Sequence, residues 1–172
     1  KKLSMGLARI TGSASDFRGE NLRSETFETV GDGAKGKKAS GILMVDGTLY
    51  LLTRNASNSQ LAWSTDHGQT WTWADWKLTT SFGCPTFLNY GKNYDGARDE
   101  YVYVYSHDAD SAYLPADRMV LARVPKDKIL RRDAYEFLQG MPGAEPAWTA
   151  RIEERSAVFA IDVAMIGGKA RV

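Results

Sequence analysis

The chain has 172 residues, with 22 Lys and Arg against 21 Asp and Glu, and 43% of it is hydrophobic. That balance belongs to a folded globular chain rather than a disordered one, and a net charge of +1 gives no electrostatic case for nucleic acid or an anionic membrane as partner. The single Cys84 excludes an intramolecular disulfide, two histidines exclude a His-rich zinc site, and no run approaches the roughly 18 apolar residues of a membrane span.

In chain order the sequence predicts short strands separated by turns. Residues 6–11 and 22–29 read as the last two strands of an earlier unit. Residues 39–45 (ASGILMV) and 48–54 (TLYLLTR) flank Asp46-Gly47, a strong hairpin signal because a type I′ turn needs φ > 0 at both central positions. Residues 59–65 (SQLAWST) and 70–76 (TWTWADW) follow, on either side of Asp66-His67-Gly68-Gln69. The pattern then restarts with 84–90 (CPTFLNY), a Gly- and Asn-rich loop over 91–99, and 100–106 (EYVYVYS), where Tyr101, Tyr103 and Tyr105 alternate with Val102 and Val104. Residues 117–124 (DRMVLARV) make a third strand and 148–152 a fourth. Pro125 suits the first turn of a short helix over 125–132.

Antiparallel four-stranded meanders in tandem predict an all-β fold built of β-propeller blades, with a single β-sandwich as the alternative. The expected organisation is a half blade over 1–30, blades over 39–78 and 83–159, and a tail over 160–172. A propeller closes its ring with at least about four blades, so about two and a half predict an incomplete fragment of a longer protein. Lys1 stands where an initiator Met or a signal peptide would, which leaves targeting open, with an extracytoplasmic or secreted home favoured.

The sharpest motif is Ser64-Thr65-Asp66-His67-Gly68-Gln69-Thr70-Trp71. Asp66 suits the capping of backbone N–H groups in the turn, Gly68 supplies φ > 0, and Trp71 packs beneath. These are structural roles, and Asp66 is no catalytic candidate. The motif resembles the Asp-box hairpin of sialidase-type propellers. More widely, LAWSTDHGQTWTWADWK, TTSFGCPTFLNYGKNYDGARDEYVYVYS and ADRMVLARVPKDKI resemble a bacterial family of unknown function, over about residues 3–159. That family's propeller-like fold is similar to the five-bladed glycoside hydrolases, and some relatives are linked to D-arabinan cleavage. The resemblance implies a carbohydrate-active protein. It stops after Phe159, where a truncation or frame error is the expectation for the tail.

Meander topology places the connections 31–38, 54–58, 79–83 and 107–116 on one end of the blades, the end where propeller ligands usually sit. Asp32, Lys37, Arg54, Asn55, Gln60, Tyr113 and Arg118 are the expected substrate-binding residues there: planar amides and charges for hydroxyl groups, and Tyr113 as a stacking platform. Glycoside hydrolysis requires two carboxyl groups, and Asp110 and Asp117 are the catalytic candidates within this chain. The loop acids would equally serve as solvating groups or as oxygen ligands of a structural calcium; no other metal or cofactor is expected. His107 is an acid/base candidate, and Cys84 reads as a small packed residue rather than a nucleophile.

The leading expectation is thus a glycoside hydrolase-like protein acting on a polysaccharide. The alternatives are a non-catalytic carbohydrate-binding propeller, then a sialidase-like enzyme, against which stands the scarcity of arginines at the ligand end. A protein-interaction propeller finds no exposed apolar signature.

Overall fold

The computed structural model describes residues 3–27, 29–30, 36–143, 145–160, 164–166 and 169–171. The chain is all-β and its sheets are antiparallel. Strand β1 (Leu3–Met5) is followed by β2 (Leu7–Gly12), β3 (Phe17–Leu22) and β4 (Thr29–Val30); β1 pairs with β4, and β2 with β3. The expected strand over 22–29 is displaced toward the N-terminus. A turn over Ser13–Asp16 closes the hairpin early, with the Ser13 N–H donating to the Asp16 carbonyl at 2.9 Å, and Gly12 at φ 101° permits the reversal.

Strands β5 (Lys38–Val45), β6 (Thr48–Arg54), β7 (Ser59–Ser64) and β8 (Thr72–Leu78) form one four-stranded meander, paired in the order of the chain. Asp46 at φ 47° and Gly47 at φ 77° make the two-residue turn between Val45 and Thr48, as the Asp-Gly pair requires.

The second sheet runs β9 (Thr86–Phe87), β10 (Tyr101–His107), β11 (Arg118–Pro125), β12 (Glu136–Gly140) and β13 (Ala147–Thr149), and β14 (Ala157–Ala160) also pairs with β11. It therefore has more than the four strands of the simple meander. Only two residues of 84–90 join the ladder, since Pro85 has no N–H to give. Strand β12 was not expected, and β13 begins a residue early. In place of one helix over 125–132 there are two 3-10 turns, Lys126–Lys128 and Arg132–Ala134. The tight i→i+3 bond from the Arg131 N–H to the Lys128 carbonyl reverses the chain quickly enough to bury Ile129 and Tyr135, whose hydroxyl donates to the Ile129 carbonyl at 2.9 Å. A last hairpin joins β15 (Ala164–Ile166) and β16 (Lys169–Arg171).

The core follows from strand alternation. Val102 and Val104 of β10 and Val120, Ala122 and Val124 of β11 point at Leu43, Leu52 and Leu61 of the first sheet, all buried in one cluster. A second cluster of Met5, Phe27, Leu51, Ala62 and Trp71 covers part of the other face of the first sheet, where Ile42 stays about half exposed. That sheet is therefore the middle of three layers. Its central strands β6 and β7 for this reason bury neighbouring residues on both faces, Leu51 with Leu52 and Leu61 with Ala62. Fully burying each Leu or Val contributes roughly 1.5–3 kcal/mol.

Candidate functional site

Three connections meet at one end of the two sheets: the loop after β6, the segment between β8 and β9, and the loop after β10. They are fastened by polar contacts around the fully buried Phe82. Asn58, buried after β6, donates from Nδ2 to the Ser81 carbonyl, and Ser59 Oγ donates to the Phe82 carbonyl. The Ser81 N–H donates to Asp110 Oδ1 at 2.5 Å, and Ser81 Oγ donates to Asp108 Oδ1 at 2.8 Å. The Gly83 N–H reaches the Ala109 carbonyl at 2.9 Å. Asn55, Ser57, Ser81 and Phe82 all have positive φ, so this end carries half of the eight described non-glycine residues in left-handed backbone. Such conformations cost of order 1–3 kcal/mol each and persist where the surroundings over-determine them. The amide of Asn58 is only half satisfied: its Oδ1 is buried with no hydrogen-bond partner among the described residues.

The sequence-predicted residues fall into separate groups. Lys37 Nζ donates to Gln60 Oε1 at 2.8 Å and stands 3.7 Å above the Trp73 ring, while Gln60 Nε2 donates to the Ala74 carbonyl at 2.7 Å. Burial and the neighbouring Lys77 ammonium lower the Lys37 pKa from its ordinary value. The Arg54 guanidinium lies 5.4 Å from the Tyr113 ring, which brings the β6 end together with the loop after β10. Asn55 Nδ2 donates to the Gly36 carbonyl at 2.8 Å. Asp110 is exposed and caps Ser81, and Asp117 lies at the surface, 3.5 Å from Arg118 Nε. Asp32 lies outside the described residues. His107 Nε2 sits 3.0 Å from the Ser111 carbonyl oxygen, and the Cys84 N–H donates to Ser106 Oγ at 3.2 Å.

Asp108, in the loop after β10, has a partner that no local pattern in the sequence reveals. Arg155 Nε donates to Asp108 Oδ1 at 2.9 Å, and both side chains are about four-fifths buried. Burial pushes the Asp108 carboxyl up. Its hydrogen bonds from Arg155 and Ser81, with the nearby positive charge, outweigh that and hold it below the usual carboxylate value. No spacing rule connects residues this far apart in the chain, so Arg155 carried no signal. Among the described residues, no group of three or more His, Cys, Asp or Glu side chains is arranged to hold a metal ion.

At the opposite end, the turn over residues 64–71 has the geometry its chemistry predicts. Asp66 accepts the Thr70 N–H on both carboxylate oxygens at 2.9 and 3.0 Å, the Thr70 hydroxyl at 2.6 Å and the Ser64 hydroxyl at 2.7 Å. The Thr70 bonds, with those from Ser64 and Gln69, bring the Asp66 pKa down to about 2. Gly68 has φ 87°, and the buried Trp71 indole donates to its carbonyl at 3.1 Å.

A third cluster lies on the outer face of the second sheet. The Arg123 guanidinium is sandwiched 4.2 Å from the Tyr101 ring and 4.1 Å from the Trp148 ring, and its Nε donates to Glu136 Oε2 at 2.8 Å. These contacts join β10, β11, β12 and β13. No protein-family model matches the chain, and no curated protein matches it.

Proposed function

We propose that this chain supplies blades of a β-propeller from a carbohydrate-active, glycoside hydrolase-like protein, and that the end carrying Arg54, Asn55, Gln60 and Tyr113 binds a polysaccharide. The layering supports the propeller part of this reading: the four-stranded meander has buried side chains on both faces, whereas each sheet of a two-layer sandwich has one solvated face. The Ser64–Trp71 turn, with its carboxylate cap and positive-φ glycine, supports it as well.

One observation carries the binding reading. The loops after β6, β8 and β10 are cross-linked by Asn58, Ser81 and Asp110, so a guanidinium, amides and a 58% exposed tyrosine are held on a rigid frame. Sugars are recognised by such a combination of planar polar groups and an aromatic face. The second reading, a non-catalytic carbohydrate-binding propeller, is favoured by the engagement of the loop acids: Asp108 with Arg155, Asp110 with Ser81, Asp117 with Arg118.

The test is isothermal titration against a panel of neutral and acidic polysaccharides, run beside an assay of reducing-end release. Release abolished by Asp110→Asn or Asp117→Asn assigns chemistry to those acids. Binding with no release assigns the non-catalytic reading, and failure to bind any member of the panel overturns the proposal.

A further inference from the structure

One end of the four-stranded sheet collects Lys37, Lys38, Arg54 and Lys77, and among the described residues none of the four is in an ion pair. Lys38 and Arg54 are directly opposite each other across β5 and β6, so their side chains leave the same face of the sheet. Like charges in that position destabilise a strand pair. Both residues are partly buried, and among the described residues neither side chain has a hydrogen bond or ion pair; the Tyr113 ring is the one group recorded against Arg54. Lys37 and Lys77 stand at the same sheet end, and among the described residues neither has a carboxylate partner: Lys37 donates to Gln60, and Lys77 to the Ala56 carbonyl.

The acids of the loop after β10 are committed elsewhere. Asp108 is held by Arg155 and Ser81, Asp110 by the Ser81 N–H, and Asp117 lies beside Arg118. The contrast with Arg123, Arg131, Arg151 and Arg155 is direct, since each of those has its own carboxylate. A guanidinium presents a planar fork of donors that matches the two oxygens of a carboxylate, or two of a sulfate, and an aromatic ring against it fixes its plane.

We infer that Arg54 and Lys38, with Tyr113 orienting the guanidinium, form a receptor for the anionic group of an acidic polysaccharide. The inference rests on the carbohydrate-binding reading above and names its ligand class. Tyr113 keeps more than half of its surface exposed, which leaves it available to a sugar ring carrying that group.

Two matched pairs test it on the full chain: polygalacturonate against its fully methyl-esterified form, and dextran sulfate against dextran. The charged member of at least one pair is expected to bind about tenfold tighter or better, with affinity falling as salt is raised; which pair responds distinguishes carboxylate from sulfate. Lys38→Gln is expected to weaken that binding about tenfold while leaving the neutral member unaffected, and Arg54→Gln to weaken binding of the charged member by at least as much. Circular dichroism confirms that each variant is folded. Equal affinity within both pairs overturns the inference and leaves the carbohydrate reading standing. So does charged-ligand binding that survives both substitutions. Tighter binding to a single-stranded oligonucleotide than to any polysaccharide also overturns it, and no polysaccharide binding at all overturns the underlying reading.

Discussion

Arg155 reaches back to Asp108 and closes an ion pair that joins the segment before β14 to the loop after β10, with Arg155 Nε 2.9 Å from Asp108 Oδ1. The same Asp108 oxygen accepts the Ser81 hydroxyl, so one carboxylate fixes two chain segments that strand pairing alone leaves apart.

Removing Arg155 leaves a mostly buried carboxylate with one neutral donor. Arg155→Ala is expected to cost roughly 2–4 kcal/mol, below the upper end for a fully buried pair because both groups keep some exposure. Urea unfolding measures it. The pH dependence has a definite sign: Asp108 has a lowered pKa in the folded chain, so its contribution is present above the unfolded value near ~4 and is lost as pH falls through the folded one. The gap in stability between wild type and Asp108→Asn should therefore narrow on acidification below about pH 4.

The Ser64–Trp71 turn titrates over a known window. Asp66 is held at about 2, so its capping bonds persist at pH 3, where an ordinary carboxylate is mostly protonated. In an NMR titration the Thr70 amide resonance is expected to keep its position to pH 3 and to move only near pH 2. A midpoint at the usual carboxylate value of ~4 would refute the bonding described.

Two glycines separate steric from conformational cost. A Cβ on Gly41 would lie 2.9 Å from the Thr86 Cα, because β5 and β9 approach backbone to backbone there. Gly41→Ala is expected to lose roughly 1–3 kcal/mol by overpacking. Gly47 has open space around it and φ 77°, so Gly47→Ala meets only left-handed strain, of order 1 kcal/mol. Thermal melts of the two variants should rank in that order.

The Arg123 sandwich predicts that charge alone is insufficient. Arg123→Lys retains an ammonium near Glu136 but loses the planar stack on Tyr101 and Trp148, and a loss of about 1–2 kcal/mol is expected. A double-mutant cycle with Glu136→Gln isolates the ionic part, which should be the smaller share because Glu136 is partly exposed.

What was legible in the sequence was local. Asp46-Gly47 fixed a hairpin because its turn chemistry lies within two residues, and the Tyr/Val alternation of 101–105 gave both the strand and its buried face. Strand β12 escaped because EFLQG is short, follows two 3-10 turns and buries Phe137 and Leu138 side by side, which no period-2 pattern flags. At the candidate site, residue types in loops were readable but partnerships were not. Asp110 and Asp117 look alike in sequence, yet one caps Ser81 and the other lies at the surface beside Arg118. Lys38 and Arg54 became a pair only through strand register.

Strand β11 presents one edge to two partners, its first residues pairing with β14 and its later ones with β12. Amide exchange along this single strand should therefore report two separate openings. Protons released when β14 detaches would come from Arg118–Val120, and those around Ala122 and Arg123 would wait for β12 to leave. The boundary falls at Leu121, making β11 a built-in two-channel recorder of which neighbour lets go first.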